Sequence, residues 1–170
     1  EAALEMLRAG GSAVDAAIAA ELVLGLVEPQ SSGIGGGGFL LFYHARSERI
    51  SGYDGRKWAP AGARADMFLD ARGRPMAFLD AQASGRSIGT PLLVPMLKLA
   101  HEDHGRLPWA RLFEPAIRLA ENGFEVSPRM AMLVDSAVRM TISQRFLIEK
   151  WSRASSMGVM NSWQICRLCG

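Results

Sequence analysis

The chain has 170 residues, of which 49% are apolar, 21% charged and 8% aromatic, a composition that can build one medium-sized domain with a hydrophobic core. Nineteen basic and 17 acidic side chains give a net charge of +2. That balance excludes the strongly basic surface typical of nucleic-acid-binding domains. No basic stretch followed by an apolar run precedes the first predicted helix, so a secretory signal peptide is not expected within these residues.

The last 35 residues differ in composition from the rest. Residues 136–170 contain five basic side chains against one acid, both cysteines and none of the eight prolines, whereas residues 1–135 carry a net charge of −2. We therefore predict one partial domain over residues 1–135. Residues 136–170 are interpreted as a divergent tail, produced by a shifted reading frame or left disordered.

Two helices are predicted at the start of the chain. Apolar side chains at helical spacing indicate the first over residues 1–9, and the Gly10-Gly11 pair ends it. Ser12 and Asp15 then form a capping-box pattern, in which each side chain accepts a hydrogen bond from the other residue's amide. The second helix should run from there to about Leu26. It is apolar on nearly every face, which predicts burial, but it is too short to span a bilayer.

A β-hairpin is predicted after a glycine-rich loop. The loop covers residues 30–38 and has glycine at five of its last six positions. Residues 39–43 follow as a continuously apolar strand, residues 46–48 are a polar turn, and residues 50–54 form the returning strand.

Three more helices are predicted after the hairpin. A short helix is predicted over residues 64–69, a longer one over residues 92–104, and another from Pro108 to the Asn122-Gly123 pair. Helices, a hairpin and more helices together predict an α+β fold.

The glycine loop also fits the letters of a dinucleotide-binding fingerprint, at Gly33, Gly35 and Gly38. That fingerprint requires a strand before the glycines and a helix after them, so that the phosphates meet the helix N-terminus. Here a helix precedes the loop and a strand follows it. We therefore interpret the glycines as a close approach between backbone segments, and we predict no cofactor.

His101 and His104 lie three residues apart on a predicted helix, and Cys166 and Cys169 form a CxxC. A mixed zinc site is one interpretation of these four residues. The spacing between the two pairs is arbitrary and there is a single CxxC. The histidines are better explained as a solvated helix end and the cysteines as incidental, so no metal site is predicted.

The most informative polar segment is DGRKWAP, residues 54–60. It places Arg56 just after a strand end, where a planar guanidinium can be held rigidly and can bind a carboxylate through two parallel hydrogen bonds. A lone arginine in such a position is more often part of a surface ion pair.

Several motifs in one order resemble the large-subunit region of the gamma-glutamyltranspeptidase family. The resemblance covers about residues 1–135. The motifs are GGSAVDAAIAA (10–20), PQSSGIGGGGF (29–39), DGRKWAPA (54–61), DMFLD (66–70), GTP (89–91), HGRLPW (104–109) and PAIRLAENGF (115–124).

The resemblance implies part of an N-terminal-nucleophile hydrolase fold, in which two sheets lie between helical layers. It further implies a precursor that cuts itself into a large and a small subunit. The nucleophile would be the N-terminal threonine of the small subunit, which attacks the γ-glutamyl amide of glutathione or a related compound and passes the glutamyl group to water, an amino acid or a peptide. The chain would then hold no catalytic residue and would be inactive alone. The chain itself does not indicate a localisation; the resemblance implies a periplasmic or extracellular one, since bacterial relatives are typically exported.

By the same resemblance, Arg56 binds the α-carboxylate of the γ-glutamyl group. Two positions depart from the family pattern: Lys57 replaces an acidic residue, and Leu92 replaces a glycine. The alternatives are a cephalosporin-acylase-like relative of the same fold and a non-catalytic helical module that binds partners through residues 146–160.

Overall fold

The computed structural model describes residues 1–139, with side chains described as far as residue 135. Within them the chain forms six α-helices, two 3₁₀ helices and one β-hairpin, which is the predicted α+β class. Nearly all of the predicted tail, both cysteines included, lies outside the described residues. In chain order the elements are α1 (Ala2–Arg8), α2 (Ala13–Val27), β1 (Phe39–His44), β2 (Arg49–Asp54), α3 (Phe78–Ala83), a 3₁₀ helix (Gly85–Ser87), α4 (Leu93–His104), a second 3₁₀ helix (Trp109–Phe113), α5 (Glu114–Asn122) and α6 (Pro128–Arg139).

The turn between α1 and α2 forms as its residues predict. Gly10 adopts φ +85°, a left-handed conformation that glycine takes without steric cost. Ser12 caps α2: its hydroxyl accepts from the Asp15 amide at 3.1 Å, and its own amide donates to the Asp15 carboxylate at 2.7 Å. The predicted capping box is therefore confirmed, and it sets the first residue of α2.

Helix α2 is the centre of the hydrophobic core. It packs against α1, α4, α5 and the second 3₁₀ helix, which explains why its sequence is apolar on nearly every face. No helix among residues 1–139 has the length and hydropathy needed to cross a membrane. The buried core side chains are Met6, Val14, Ala16, Ile18, Ala19, Leu22, Leu93, Met96, Leu97, Ala100 and Leu112.

The hairpin pairs β1 and β2 antiparallel, with Phe39 opposite Asp54 and His44 opposite Arg49. Its strands have two unlike faces. One carries Leu40, Phe42 and Tyr53, which pack on the core. The other is apolar and open to solvent, and Leu41 is 77% exposed on it. The apolar character of β1 therefore does not come from burial on both faces within the described residues.

Two predicted helices differ from the structure. Residues 64–69 form turns instead of a helix, stabilised by an Arg64–Asp66 ion pair and an isolated bridge between Leu69 and Pro75; the nearby short helix is α3. The helix predicted from Pro108 is divided, because Pro115 lacks the amide that would continue an α-helical ladder through it. A 3₁₀ helix therefore precedes α5.

A buried carboxylate joins the start of α2 to the loop after α4. Asp15 is fully buried, and its Oδ2 also accepts from the amides of Arg106 at 2.9 Å and Leu107 at 3.3 Å. Burial alone would raise the pKa of Asp15, but the hydrogen bonds from Ser12, Arg106 and Leu107 outweigh it and hold that pKa below its ordinary value. The ionised carboxylate is therefore the form that stabilises this junction.

We expect Asp15→Ala to lower the free energy of unfolding by about 2–4 kcal/mol at pH 7, because three backbone amides lose their acceptor in a buried place. Urea unfolding followed by circular dichroism measures it. Asp66→Ala is the control: this exposed acid pairs with an exposed arginine, and its loss should cost less than about 1 kcal/mol.

The difference in free energy of unfolding between wild type and Asp15→Ala should become smaller at acidic pH. Because the pKa of Asp15 is lowered in the folded state, its contribution is complete above the unfolded pKa of about 4 and disappears as the pH falls through the folded value. The difference between wild type and Asp15→Ala should therefore narrow below about pH 4. A difference that stays constant down to pH 3 would contradict the assignment.

Candidate functional site

Arg56 follows directly on the last backbone pair of the hairpin. Gly38 donates to the Gly55 carbonyl at 3.2 Å, and Gly55 donates back to Gly38 at 2.9 Å. This pair extends the ladder one step beyond β1 and β2. Arg56 is therefore the first residue after the ladder, on backbone whose preceding position is fixed by two hydrogen bonds.

The glycine loop lies directly against the Arg56 backbone. A Cβ on Gly37 would be 2.6 Å from the Gly55 carbonyl oxygen, 2.7 Å from the Lys57 nitrogen and 3.2 Å from the Arg56 carbonyl carbon. Real Cβ atoms do not approach backbone this closely. The predicted close approach between backbone segments is thus confirmed at Gly37. The strand β1 begins at Phe39, so the arrangement a dinucleotide fingerprint needs is not formed here.

A third segment joins the loop and the Arg56 segment. The Gly36 carbonyl accepts from the amides of Leu92 and Leu93 at 3.3 and 3.4 Å, where α4 begins. The Thr90 amide donates to the Trp58 carbonyl at 2.9 Å. We call this meeting of residues 36–38, 54–58 and 89–93 the backbone junction.

Helix α4 supports the junction from within the core. The Met96 Cβ and the Leu92 carbonyl would lie 2.6 and 3.0 Å from a Cβ on Gly55, so α4 packs directly beneath that residue. Leu92 itself adopts φ −126°, which leucine tolerates. The leucine expected to replace a glycine at this position is therefore compatible with the turn into α4.

The Arg56 side chain is exposed, and its backbone amide donates to Asp54 Oδ1 at 2.8 Å. Among the residues whose side chains are described, none forms a hydrogen bond or ion pair with the Arg56 guanidinium. A surface ion pair is therefore not its role within residues 1–135. Within residues 1–135 the result is a guanidinium without a partner on a fixed backbone, a geometry suited to bidentate binding of a carboxylate.

The interpretation of the histidines as a solvated helix end is wrong. His101 packs beside Trp109, and its Nε2 lies 2.8 Å from the Leu107 carbonyl and 3.6 Å from Asp15 Oδ1. His104 stacks on Phe42 with ring centroids 4.2 Å apart. Tertiary contacts from the hairpin and the loop after α4 leave both histidines only partly exposed, and helical spacing alone does not indicate such contacts.

His104 also belongs to a polar cluster. The Tyr53 hydroxyl lies 2.7 Å from His104 Nε2 and donates to Asp103 at 2.7 Å. Burial and the Asp103 carboxylate raise the pKa of Tyr53 to about 12, so this phenol stays protonated at neutral pH. Within residues 1–139 no group of three or more His, Cys, Asp or Glu side chains could hold a metal ion.

Sequence reasoning did not identify the contribution of Asp54, Gly55 and Met96 to the position of Arg56. The contribution of Asp54 could have been predicted, because aspartate side chains often accept a hydrogen bond from the backbone amide two residues later. Met96 had none, since only the tertiary fold brings α4 beneath the strand end.

The sequence model of one family, gamma-glutamyltranspeptidase, matches residues 1–157. The chain is 39% identical over 154 residues to glutathione hydrolase 3 of Arabidopsis thaliana, covering 90% of this chain and 23% of that protein. It is 46% identical over 132 residues to scoloptoxin SSD14 of Scolopendra dehaani, covering 78% of this chain and 22% of that protein. The chain thus spans less than a quarter of the length of these curated relatives.

Solved structures show the same fold. Gamma-glutamyltranspeptidase of Helicobacter pylori superposes with a TM-score of 0.75 at 28% identity, covering 92% of this chain and 51% of that chain. The enzyme of Pseudomonas nitroreducens complexed with L-DON gives 0.72 at 33% identity, covering 81% and 40%. Cephalosporin acylase of Bacillus halodurans gives 0.61 at 27% identity, covering 96% and 27%. The predicted N-terminal-nucleophile hydrolase fold is confirmed.

We expect Gly37→Ala to lower the free energy of unfolding by about 1–3 kcal/mol, because the added methyl group overlaps backbone atoms at the junction. Gly35→Ala is the matched control in the same loop, since nothing lies within 4 Å of its Cβ position; it should shift stability by less than about 1 kcal/mol. Urea unfolding of both variants tests the difference, and equal effects would contradict the close approach.

Proposed function

The chain belongs to the gamma-glutamyltranspeptidase family, and from this premise we propose that it forms the part of a gamma-glutamyltransferase that binds the glutamyl group of the substrate. The reaction is cleavage of the γ-glutamyl amide of glutathione or a related compound. The glutamyl group is transferred to water, an amino acid or a peptide, and the amine of the original amide is released.

In the proposed reaction the nucleophile is a threonine at the N-terminus of a small subunit. Its own α-amino group takes the hydroxyl proton, and the oxygen attacks the γ-carbonyl carbon. The α-amino group then gives that proton to the amide nitrogen as the C–N bond breaks and the amine leaves. Water or an amine attacks the acyl-enzyme, the ester C–O bond breaks, and the proton of the attacking group returns to the threonine oxygen. No residue of this chain has a catalytic role in this scheme.

The observation that carries the proposal is the geometry of Arg56. Its backbone is held by the Gly38–Gly55 pair and by Asp54, while its exposed guanidinium has no partner in the described part of the chain. A γ-glutamyl group ends in an α-carboxylate, which a guanidinium can bind through two charge-assisted hydrogen bonds. We therefore assign Arg56 as the substrate-binding residue.

The open face of the hairpin supports the proposed small-subunit partner. Phe39, Leu41 and Ile50 are 67%, 77% and 69% exposed on it. A contiguous apolar sheet face of this kind is stabilised by packing against another layer. We propose that this layer comes from the remainder of the enzyme, including the catalytic small subunit.

The cephalosporin-acylase-like alternative rests on the likeness to the Bacillus halodurans acylase. An acyl group without an α-carboxylate would give Arg56 no ligand, so the free guanidinium favours γ-glutamyl substrates. The segment proposed for the helical-module alternative, residues 146–160, lies outside the described residues.

A chimera tests the function, with residues 1–135 replacing the matching segment of the Bacillus subtilis glutathione hydrolase proenzyme, which is 38% identical over 131 residues. It should hydrolyse a γ-glutamyl anilide, while the chain alone should not. Hydrolysis of a cephalosporin side chain in its place would favour the alternative.

In this chimera we expect Arg56→Lys to raise KM for the γ-glutamyl substrate roughly ten- to hundredfold, because an ammonium replaces a two-pronged clamp. The kcat should change much less, since the lost contact is made before and during the reaction alike. Arg64→Lys is the matched control, because Arg64 is exposed and paired with Asp66. An unchanged KM in Arg56→Lys would refute the assignment.

A further inference from the structure

The aspartate that ends β2 makes a specific contact with the residue that binds substrate in the proposed function. Asp54 Oδ1 accepts a hydrogen bond from the Arg56 amide at 2.8 Å. The carboxylate thereby closes a turn across Gly55, of the kind that aspartate and asparagine side chains form with the amide two residues later. We propose that Asp54 is a positioning residue, whose turn sets the direction in which Arg56 leaves the strand; this inference rests on the proposed function.

The turn matters because the residue between Asp54 and Arg56 is glycine. Gly55 has no side chain to restrict its dihedral angles, and Met96 leaves no room for one. The hairpin pair fixes Gly55 on its strand side. On the other side, the Asp54 hydrogen bond restrains the peptide that leads into Arg56.

The contact of Asp54 with Arg56 is to the backbone and not to the guanidinium. Asp54 is the acid nearest to Arg56 in sequence and would be its first competitor for an ion pair. Its Oδ1 is instead committed to the Arg56 backbone, and no described side chain pairs with the guanidinium. One aspartate therefore fixes the arginine backbone without occupying its head group.

A second D-x-R segment of the chain shows what the turn does elsewhere. Asp70 Oδ1 accepts from the Arg72 amide at 2.8 Å, the same turn with the same spacing. There the carboxylate also binds the guanidinium of Arg74, through Nε at 3.1 Å and Nη2 at 2.9 Å. Asp70 thus pairs with an arginine four residues on and not with Arg72 of its own D-x-R segment, whereas Asp54 pairs with no guanidinium in the described part of the chain.

Three substitutions in the chimera separate geometry from charge. Asp54→Asn keeps an Oδ1 that can accept the amide hydrogen bond, Asp54→Glu keeps the charge with the wrong side-chain length, and Asp54→Ala removes both. We expect Asp54→Ala and Asp54→Glu to raise KM for the γ-glutamyl anilide about fivefold or more, with kcat changed less, and Asp54→Asn to stay within about twofold of wild type. Asp70→Ala removes the equivalent turn away from Arg56 and should leave KM unchanged.

The outcomes distinguish this inference from the proposed function. If Arg56→Lys raises KM but no Asp54 variant does, Asp54 has no positioning role while the function of Arg56 stands. If Asp54→Asn raises KM as much as Asp54→Ala, the carboxylate acts by charge and the turn is not the cause. If Arg56→Lys leaves KM unchanged, Arg56 does not bind the substrate, and both the proposed function and the positioning role of Asp54 are refuted.

A second measurement uses the full chain and needs no activity. Hydrogen exchange of the Arg56 amide should be faster in Asp54→Ala and Asp54→Glu than in wild type, and unaltered in Asp54→Asn. Equal exchange rates of the Arg56 amide in wild type and the three variants would show that Asp54 does not form this turn. This comparison decides the matter even where Asp54→Ala yields no active chimera.

Discussion

The site depends on backbone segments that touch without side chains between them. Gly37 lies against the backbone of residues 55–57 at distances that exclude a Cβ, and the hydrogen bonds of Gly36 and Gly38 continue from it to α4 and to the hairpin. Contacts of this kind are stiff, because backbone atoms have no rotamers through which to relax. Arg56 lies in the segment that makes this contact, so the position of its backbone is set by contacts between backbone segments and not by contacts of its own side chain.

The buried Asp15 carboxylate extends that rigidity to the far side of the core. Helix α4 begins where Leu92 and Leu93 bind the Gly36 carbonyl, and the loop after it is held by Asp15 through Arg106 and Leu107. The helix is thus fixed at both ends, one at the site and one at the start of α2. Met96 of this helix packs directly against Gly55. Core packing therefore affects the position of Arg56, the next residue.

Local signals predicted the elements that local chemistry determines. The capping box of Ser12 and Asp15 predicts the start of α2, and a continuously apolar run followed by a polar turn and a returning strand predicts the hairpin, because these patterns need only neighbours within a few residues. The histidines were misjudged because their partners come from distant segments: Phe42 for His104, and the loop after α4 for His101. Arg56 is identified through its motif alone: in both D-x-R segments, Asp54–Arg56 and Asp70–Arg72, the aspartate accepts the arginine amide, and no guanidinium partner is seen for either arginine in the described part of the chain.

Lys57 bears on how the candidate site would distinguish one anion from another. Lys57 is exposed, and its stem lies against Gly89, where a Cβ would be 3.3 Å away. Arg56 and Lys57 are consecutive basic residues that follow one acid, Asp54. This excess of positive charge attracts any anion, so it raises the local concentration of carboxylates without choosing among them. The choice requires directional donors, and a lysine ammonium on a flexible stem is a point charge. In the proposed function Arg56, with a planar guanidinium on a restrained backbone, is therefore the group suited to recognise the shape of a carboxylate.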